Sequence, residues 1–177
     1  MRIDGREAGY PEAYRLYLVE FHATRDYFEC HELLEEYWKS QPDDPFAQQW
    51  VGLIQVAVGS YHHRRGNHSG AVKMFRQARM RLTIEQLETL GLDGIATQAA
   101  LDERIQAVEQ ELPFTDLNLP IKDVQLLWAC KAKAAEEGYP WGLPSRADQA
   151  LTERHRLRDR SDVIAARQAA VEAKGRK

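Results

Sequence analysis

Apolar side chains along this chain recur at spacings of three and four, the period of helices packed on one another. The densest stretch, Trp50 to Leu82 (WVGLIQVAVGSYHHRRGNHSGAVKMFRQARMRL), reads as two helices packed back to back and joined at Arg65-Gly66-Asn67. Between Trp50 and Val58 the only polar side chain is Gln55. That helix is apolar on nearly every face, as expected of one enclosed by others. At helical spacing it carries the stripe Gly52, Gln55, Gly59, His62, Gly66. Small residues there admit another backbone or a ligand, and buried polar groups demand partners.

The flanking stretches follow the same period. Pro11 to Thr24 places Tyr14, Leu16, Tyr17, Val19 and Phe21 on a helix with an apolar side, and Asp26 stands where an N-cap starts the next. On that second helix, DYFECHELLEEYWK, one arc gathers Tyr27, Cys30, Leu33, Leu34, Tyr37 and Trp38, while Glu29, Glu32, Glu36 and Lys39 fall opposite and face water. His31 and Glu35 lie on the border, in the stripe Phe28, His31, Glu35, Trp38. Gln41 to Pro45 is a break. Further on, Thr83-x-x-Gln86 is a capping box and Gly91 ends a short helix. Leu101, Ile105, Val108 and Leu112 form a stripe stopped by Pro113, a loop spans Phe114 to Pro120, and Ile121 to Glu137 is a further helix. The pattern predicts an all-α fold of about seven helices with no sheet, a multihelical bundle of antiparallel helical hairpins. Residues 1–144 make the helical domain, and residues 145–177 a basic helical arm or tail, with Ser161 placed to cap a last helix.

Composition narrows the setting. The longest apolar run, around Val51 to Val58, is far shorter than the roughly 18 residues that span a bilayer. The first residues lack the apolar core of a signal peptide, and the two cysteines, Cys30 and Cys130, suit reduced thiols in the cytoplasm. Cys30 occupies a small-residue packing position and reads as core filler. A formal net charge of -3 hides segregation. Asp26 to Asp44 holds seven acids and one base, whereas Phe46 to Ile84 holds six bases and no acid. Complementary neighbours within one fold explain this most simply; a basic face for nucleic acid is the sharper alternative.

Placing Cys30 over Ala71 exposes an internal repeat, RDYFECHELLEEYW against GNHSGAVKMFRQAR. The second unit resembles a tetratricopeptide repeat through Gly59, His62, Gly66, Asn67, Ala71, Phe75 and Ala78, although His62 and Gln55 stand where that family carries aromatics. More specifically, the motifs YFECHELLEEYW and GLIQVAVGSYHHRRGNHSGA, in that order and spacing, resemble the bacterial and archaeal family catalogued as domain of unknown function 309, over roughly Tyr14 to Leu82. The resemblance implies a compact all-helical domain with His31, Glu32, Glu35, Gln55, His62, Arg65, Gly66 and Asn67 as hallmark positions. It implies no activity, because none is attached to that family.

The candidate pocket therefore comprises His31, Glu32, Glu35, Trp38, Gln55, Gly59, His62, Arg65 and Asn67. His31-Glu32-Leu33-Leu34-Glu35 has the first half of a zinc-protease helix, but Glu35 replaces the second histidine and the rest of a ligand set is unspecified. No metal or other cofactor is expected. There is no Gly-rich phosphate loop and no Gly-x-Ser-x-Gly elbow. Three classes stand. The favoured one is an interaction module binding a protein or peptide, free to form homo-oligomers. The others are a small-molecule or metal-dependent enzyme centred on His31, Glu35 and His62, and a nucleic-acid binder using the basic helix and arm. On the repeat alignment, the helix bearing His31 packs on the Gln55 stripe, bringing His31 and Glu35 towards Gln55 and His62.

Overall fold

A computed structural model describes residues 9–145. They form seven α-helices, with no strand among the described residues. The basic arm predicted from residue 145 onward lies outside them apart from Ser145.

Helix α1 (Glu12–Val19) runs on into a π-helical turn, Glu20–Thr24, and stops at Arg25, whose backbone is left-handed at φ 59°. Asp26 then caps α2 (Tyr27–Ser40) by accepting from the Glu29 amide at 3.0 Å. Helix α3 (Ala47–Arg64) ends at Gly66, where φ of 81° and back-bonds from Gly66 and Asn67 to His63 and His62 close the helix. Asn67 caps α4 (His68–Arg81) through the Gly70 amide. The same use of an oxygen-bearing side chain starts α5 (Ile84–Thr89), α6 (Gly94–Glu109) and α7 (Val124–Glu136), from Thr83, Asp93 and Asp123.

Helix α3 is the centre, with ten buried residues, more than any other helix. Helices α2 and α4 pack on it, α1 packs on α2, α6 covers α4 and α7 covers α1. Trp50 is fully buried under the rings of Tyr14, Tyr37 and Phe46, and its indole N–H donates to Asp44. The glycines of the stripe bring α4 in close. A side chain at position 52 would meet Leu82, and one at 59 would meet the Phe75 ring at 3.0 Å. Gly52, Gln55 and Gly59 of the stripe are thus covered by α4 and its C-cap Leu82 and not by α2, whereas Gly66 is exposed. The reason is steric: α4 offers Phe75 and Leu82 to fill the space the glycines leave, whereas α2 packs on α3 through the other arc, with Cys30 and Leu34 buried.

Two element ends also differ from expectation. Helix α6 stops at Glu109 instead of reaching Pro113, because Glu111 turns left-handed at φ 54° and the Leu112 amide reaches back to Ala107. Helix α7 begins at Val124, after Ile121 has made an isolated bridge to Leu92 and Lys122 and Asp123 have bonded the Gly91 carbonyl.

Candidate functional site

The contacts divide the nine candidate residues into three groups. The first is a half-buried strip along α2 and the end of α3. On α2, His31 meets Glu35 at 2.6 Å, and Lys39 reaches the same carboxylate at 2.8 Å. Burial alone would raise the Glu35 carboxyl, but the hydrogen bonds and charges of Lys39 and His31 outweigh it and hold the group below the ordinary carboxylate value. The His31 ring lies edge-on to Phe28, and Phe28 in turn touches Tyr61 of α3. From Tyr61 the strip continues to the Arg65 guanidinium, 5.2 Å above its ring, and to His62, whose Nδ1 is 3.2 Å from Asn67. Burial and the neighbouring Arg65 charge both push His62 below its usual value, so it is neutral at pH 7. His31, His62 and Arg65 are all half-buried and Asn67 is exposed. Glu32 is half-buried on α2.

The second group belongs to the α3–α4 seam. Gln55 accepts from Arg81 at 3.2 Å and donates to Gln77 at 2.8 Å, and Gly59 is buried against Phe75. These two positions serve the packing of α4 and do not join the strip. Trp38 stands apart, half-buried against the core.

Sequence reasoning placed Phe28 on the same stripe as His31 but did not single out Tyr61, the ring that joins the two halves of the strip. The signal was available: Tyr61 sits one position before His62 inside the second motif. His31 touches Phe28, Phe28 touches Tyr61, and Tyr61 touches His62, so the two histidines are linked through these rings. Among the described residues, no three His, Cys, Asp or Glu side chains are placed to hold a metal ion. Cys30 is fully buried beside the Tyr17 carbonyl and its thiol is pushed well up by burial, which fits core filler.

The basic side chains of α4 find their acids on α6. Arg76 pairs with Glu109 and Arg79 with Asp102, at 2.9 Å for the latter. Arg64 instead turns inward, stacked on Tyr27 at 4.6 Å and within the field of Asp26. The charges therefore complement one another inside the fold, but Arg64 meets Asp26 at the start of α2, Glu35 is bonded within α2, and α4 is matched by α6.

Two cavities open elsewhere. One of about 560 Å³ lies between α4 and α6, lined by His68, Lys73, Arg76, Val108, Glu109 and Glu111 among others. The second, of about 310 Å³, lies between α1 and α7 beside Arg15 and Cys130, whose thiol is pushed up to about 12 chiefly by burial.

Residues 14–74 match the family described as Domain of unknown function (DUF309). The chain is 45% identical to the uncharacterized protein YpuF of Bacillus subtilis (strain 168) over 166 residues, covering 92% of this chain and 95% of that protein. No solved structure matches it.

Proposed function

The chain belongs to the DUF309 family, and from that premise we propose that it is a protein- or peptide-binding module whose contact surface is the strip from Glu35 to Asn67. One observation carries this reading. Ser60 and His63 of the second motif are sealed in packing, but five polar residues of the two motifs are not: His31, Glu35, His62 and Arg65 are half-buried and Asn67 is exposed, and the Phe28 and Tyr61 rings link them into one run. Phe28, half-buried, in contact with the buried Tyr61 ring and flanked by a carboxylate, an imidazole and a guanidinium, offers both the apolar anchor and the orienting polar groups that protein contacts use.

The nucleic-acid reading is not adopted, because Arg76 and Arg79 are already engaged by Glu109 and Asp102. No helix is long and apolar enough to cross a membrane among the described residues. The buried, unoxidised Cys30 and Cys130 fit the reducing cytoplasm that this reading assumes.

The test is site-specific photo-crosslinking in cells. A photoreactive residue at Glu32 or Glu36, beside the strip, should give one discrete adduct that disappears when His31→Ala and Arg65→Ala are combined. A probe at Gln125 on α7 should not give that adduct. Identical adducts from both faces, or none from the strip, would remove the proposal.

A further inference from the structure

Helices α4 and α6 run antiparallel, and their ion pairs fix the register. Arg79 meets Asp102 at 2.9 Å, and Arg76, about one turn earlier on α4, meets Glu109 at the end of α6. One further turn back along the same face of α4 stands Lys73, which this register carries to the point where α6 stops. There the Glu111 amide bonds the Val108 carbonyl, the Leu112 amide bonds the Ala107 carbonyl, and Glu111 itself is left-handed at φ 54°. Glycine is the usual occupant of such a helix end, so a carboxylate-bearing side chain stands here at a steric cost that glycine avoids.

Lys73 and Glu111 both line the open groove of about 560 Å³ between the two helices. The lining allows two cross-groove ion pairs, and one is made. Arg76 and Glu109 form it, whereas Lys73 and Glu111, both exposed, form no ion pair with each other or with any other described residue. The apolar part of the lining is Val72, half-buried, and Val108, fully buried. With histidine neutral the charges of the lining cancel, Lys73 and Arg76 against Glu109 and Glu111, so the groove favours no net charge. It offers one ammonium and one carboxylate, set apart beside an apolar patch. The complement of that arrangement is a molecule carrying a carboxylate, an ammonium and an apolar side chain.

We propose that the α4–α6 groove binds a free α-amino acid with an apolar side chain of about the size of leucine. The ligand carboxylate pairs with Lys73, its ammonium pairs with Glu111, and its side chain lies on Val72 and Val108. The groove is open, so no segment has to move for the ligand to enter. A residue inside a peptide carries neither backbone charge, so the groove distinguishes the free amino acid from the same residue within a chain. The site lies on α4 and α6, whereas the strip lies on α2 and the end of α3, and it does not depend on the strip having a partner.

The experiment is an NMR titration of the full chain, read at the backbone amides, with leucine and with two probes that each lack one of its charges. Isocaproate keeps the carboxylate, and isoamylamine keeps the ammonium. Leucine should shift the Lys73 and Glu111 amides saturably. Each single-charge probe should bind about fivefold more weakly, and glycine, which has no side chain to bury, about tenfold more weakly. Lys73→Met should erase the advantage of leucine over isoamylamine, and Glu111→Gln its advantage over isocaproate. Both side chains are exposed, so both variants should melt within about 2 °C of the parent. A single-charge probe that binds as tightly as leucine, an advantage that survives in its variant, or leucine shifts that do not saturate or that fall on another face would each overturn the proposal.

Discussion

The α3–α4 seam and the α1–α2 turn are both buried, yet they are held by opposite means. At the seam, glycine and a few large apolar side chains bring two helices together: Gly52 against Leu82, Gly59 against Phe75, with Gln55, Gln77 and Arg81 bonded at the margin. At the turn, the buried Arg25 guanidinium and His22 imidazole bind Leu117, Asn118 and Leu119, 92 to 97 residues away, and Leu143, 118 residues away, while the Asp116 carboxylate accepts from Tyr27 and Ser145. The seam is held by shape and degrades gradually when it is altered. The turn is held by hydrogen bonds made in a place water does not reach, so removing one partner strands the others.

The largest effect should therefore come from the turn. In Arg25→Met the apolar bulk is retained but the Phe21, Leu117 and Leu143 oxygens lose their donor. Stability should fall by about 3 to 5 kcal/mol in urea unfolding. A loss no larger than that of an ordinary surface change would mean that water satisfies those oxygens and that the contrast with the seam is false.

His22 gives the next effect, through pH. Its Nδ1–H donates to the Leu18 carbonyl at 2.8 Å, its Nε2 accepts from the Leu119 amide at 2.9 Å, and the ring stacks on Trp141 at 4.9 Å. The Nε2 bond requires the neutral ring, since a protonated ring has no acceptor to offer the Leu119 amide. Burial is the main cause that pushes the group down to about 4, with the Arg25 charge adding to it. Because the unfolded chain takes up this proton first, stability is complete above pH about 6.5, declines as pH falls, and has lost up to about 3 kcal/mol by pH about 4. Unfolding measured between those limits should show this slope, and His22→Gln should flatten it.

At the seam, Gly59→Ala places a methyl group 3.0 to 3.1 Å from the Phe75 ring carbons, and Phe75 is fully buried. The ring must give way by a few tenths of an ångström, and the gain in helix propensity offsets only part of the cost. A net loss of about 1 to 2 kcal/mol is expected. Phe75→Leu in the same chain should recover part of it, a coupling that a purely local backbone effect would not produce.

The seam could be read in the sequence and the turn could not, for a physical reason. An unbroken apolar run with glycines at helical spacing constrains a helix in one local window, which is why α3 emerges as the centre before any coordinates. Capping positions are local as well, so Asp26 and Thr83 were legible, whereas Asn67 was placed only in the turn it ends. The partner of the Gln55 stripe was not. Periodicity says that a face is covered but not by which helix, and the repeat alignment favoured α2 where α4 supplies Phe75 and Leu82. The clamp is harder still, since Arg25, Asp116 and Ser145 share no local pattern and meet only because the loop after α6 and the segment after α7 fold back over α1. His31 with Glu35 could be expected from their spacing of four. The Phe28 contact with Tyr61, which joins His31 to His62 and Arg65, needed the packing of α2 on α3.

The smallest effects belong to the strip, and there smallness is itself the test. His31 and Glu35 are about 30% exposed and bonded one helical turn apart, a pairing worth about 0.3 to 0.5 kcal/mol on a helix surface. What Glu35 contributes is present above the carboxylate range and fades as pH falls through it, since its folded value is lowered. His62 touches Asn67, but Asn67 caps α4 through its own oxygen and keeps the Gly70 amide without help. His31→Ala and His62→Ala should thus each lie within about 0.5 kcal/mol of the parent. Gln55→Ala should cost more, about 1 kcal/mol, because it removes the partner of both Gln77 and Arg81 at a half-buried position. Thermal unfolding of the three variants decides between surface and core. Losses above about 2 kcal/mol in both histidine variants would mean that the strip is sealed structure, and a contact surface would have to be sought on another face.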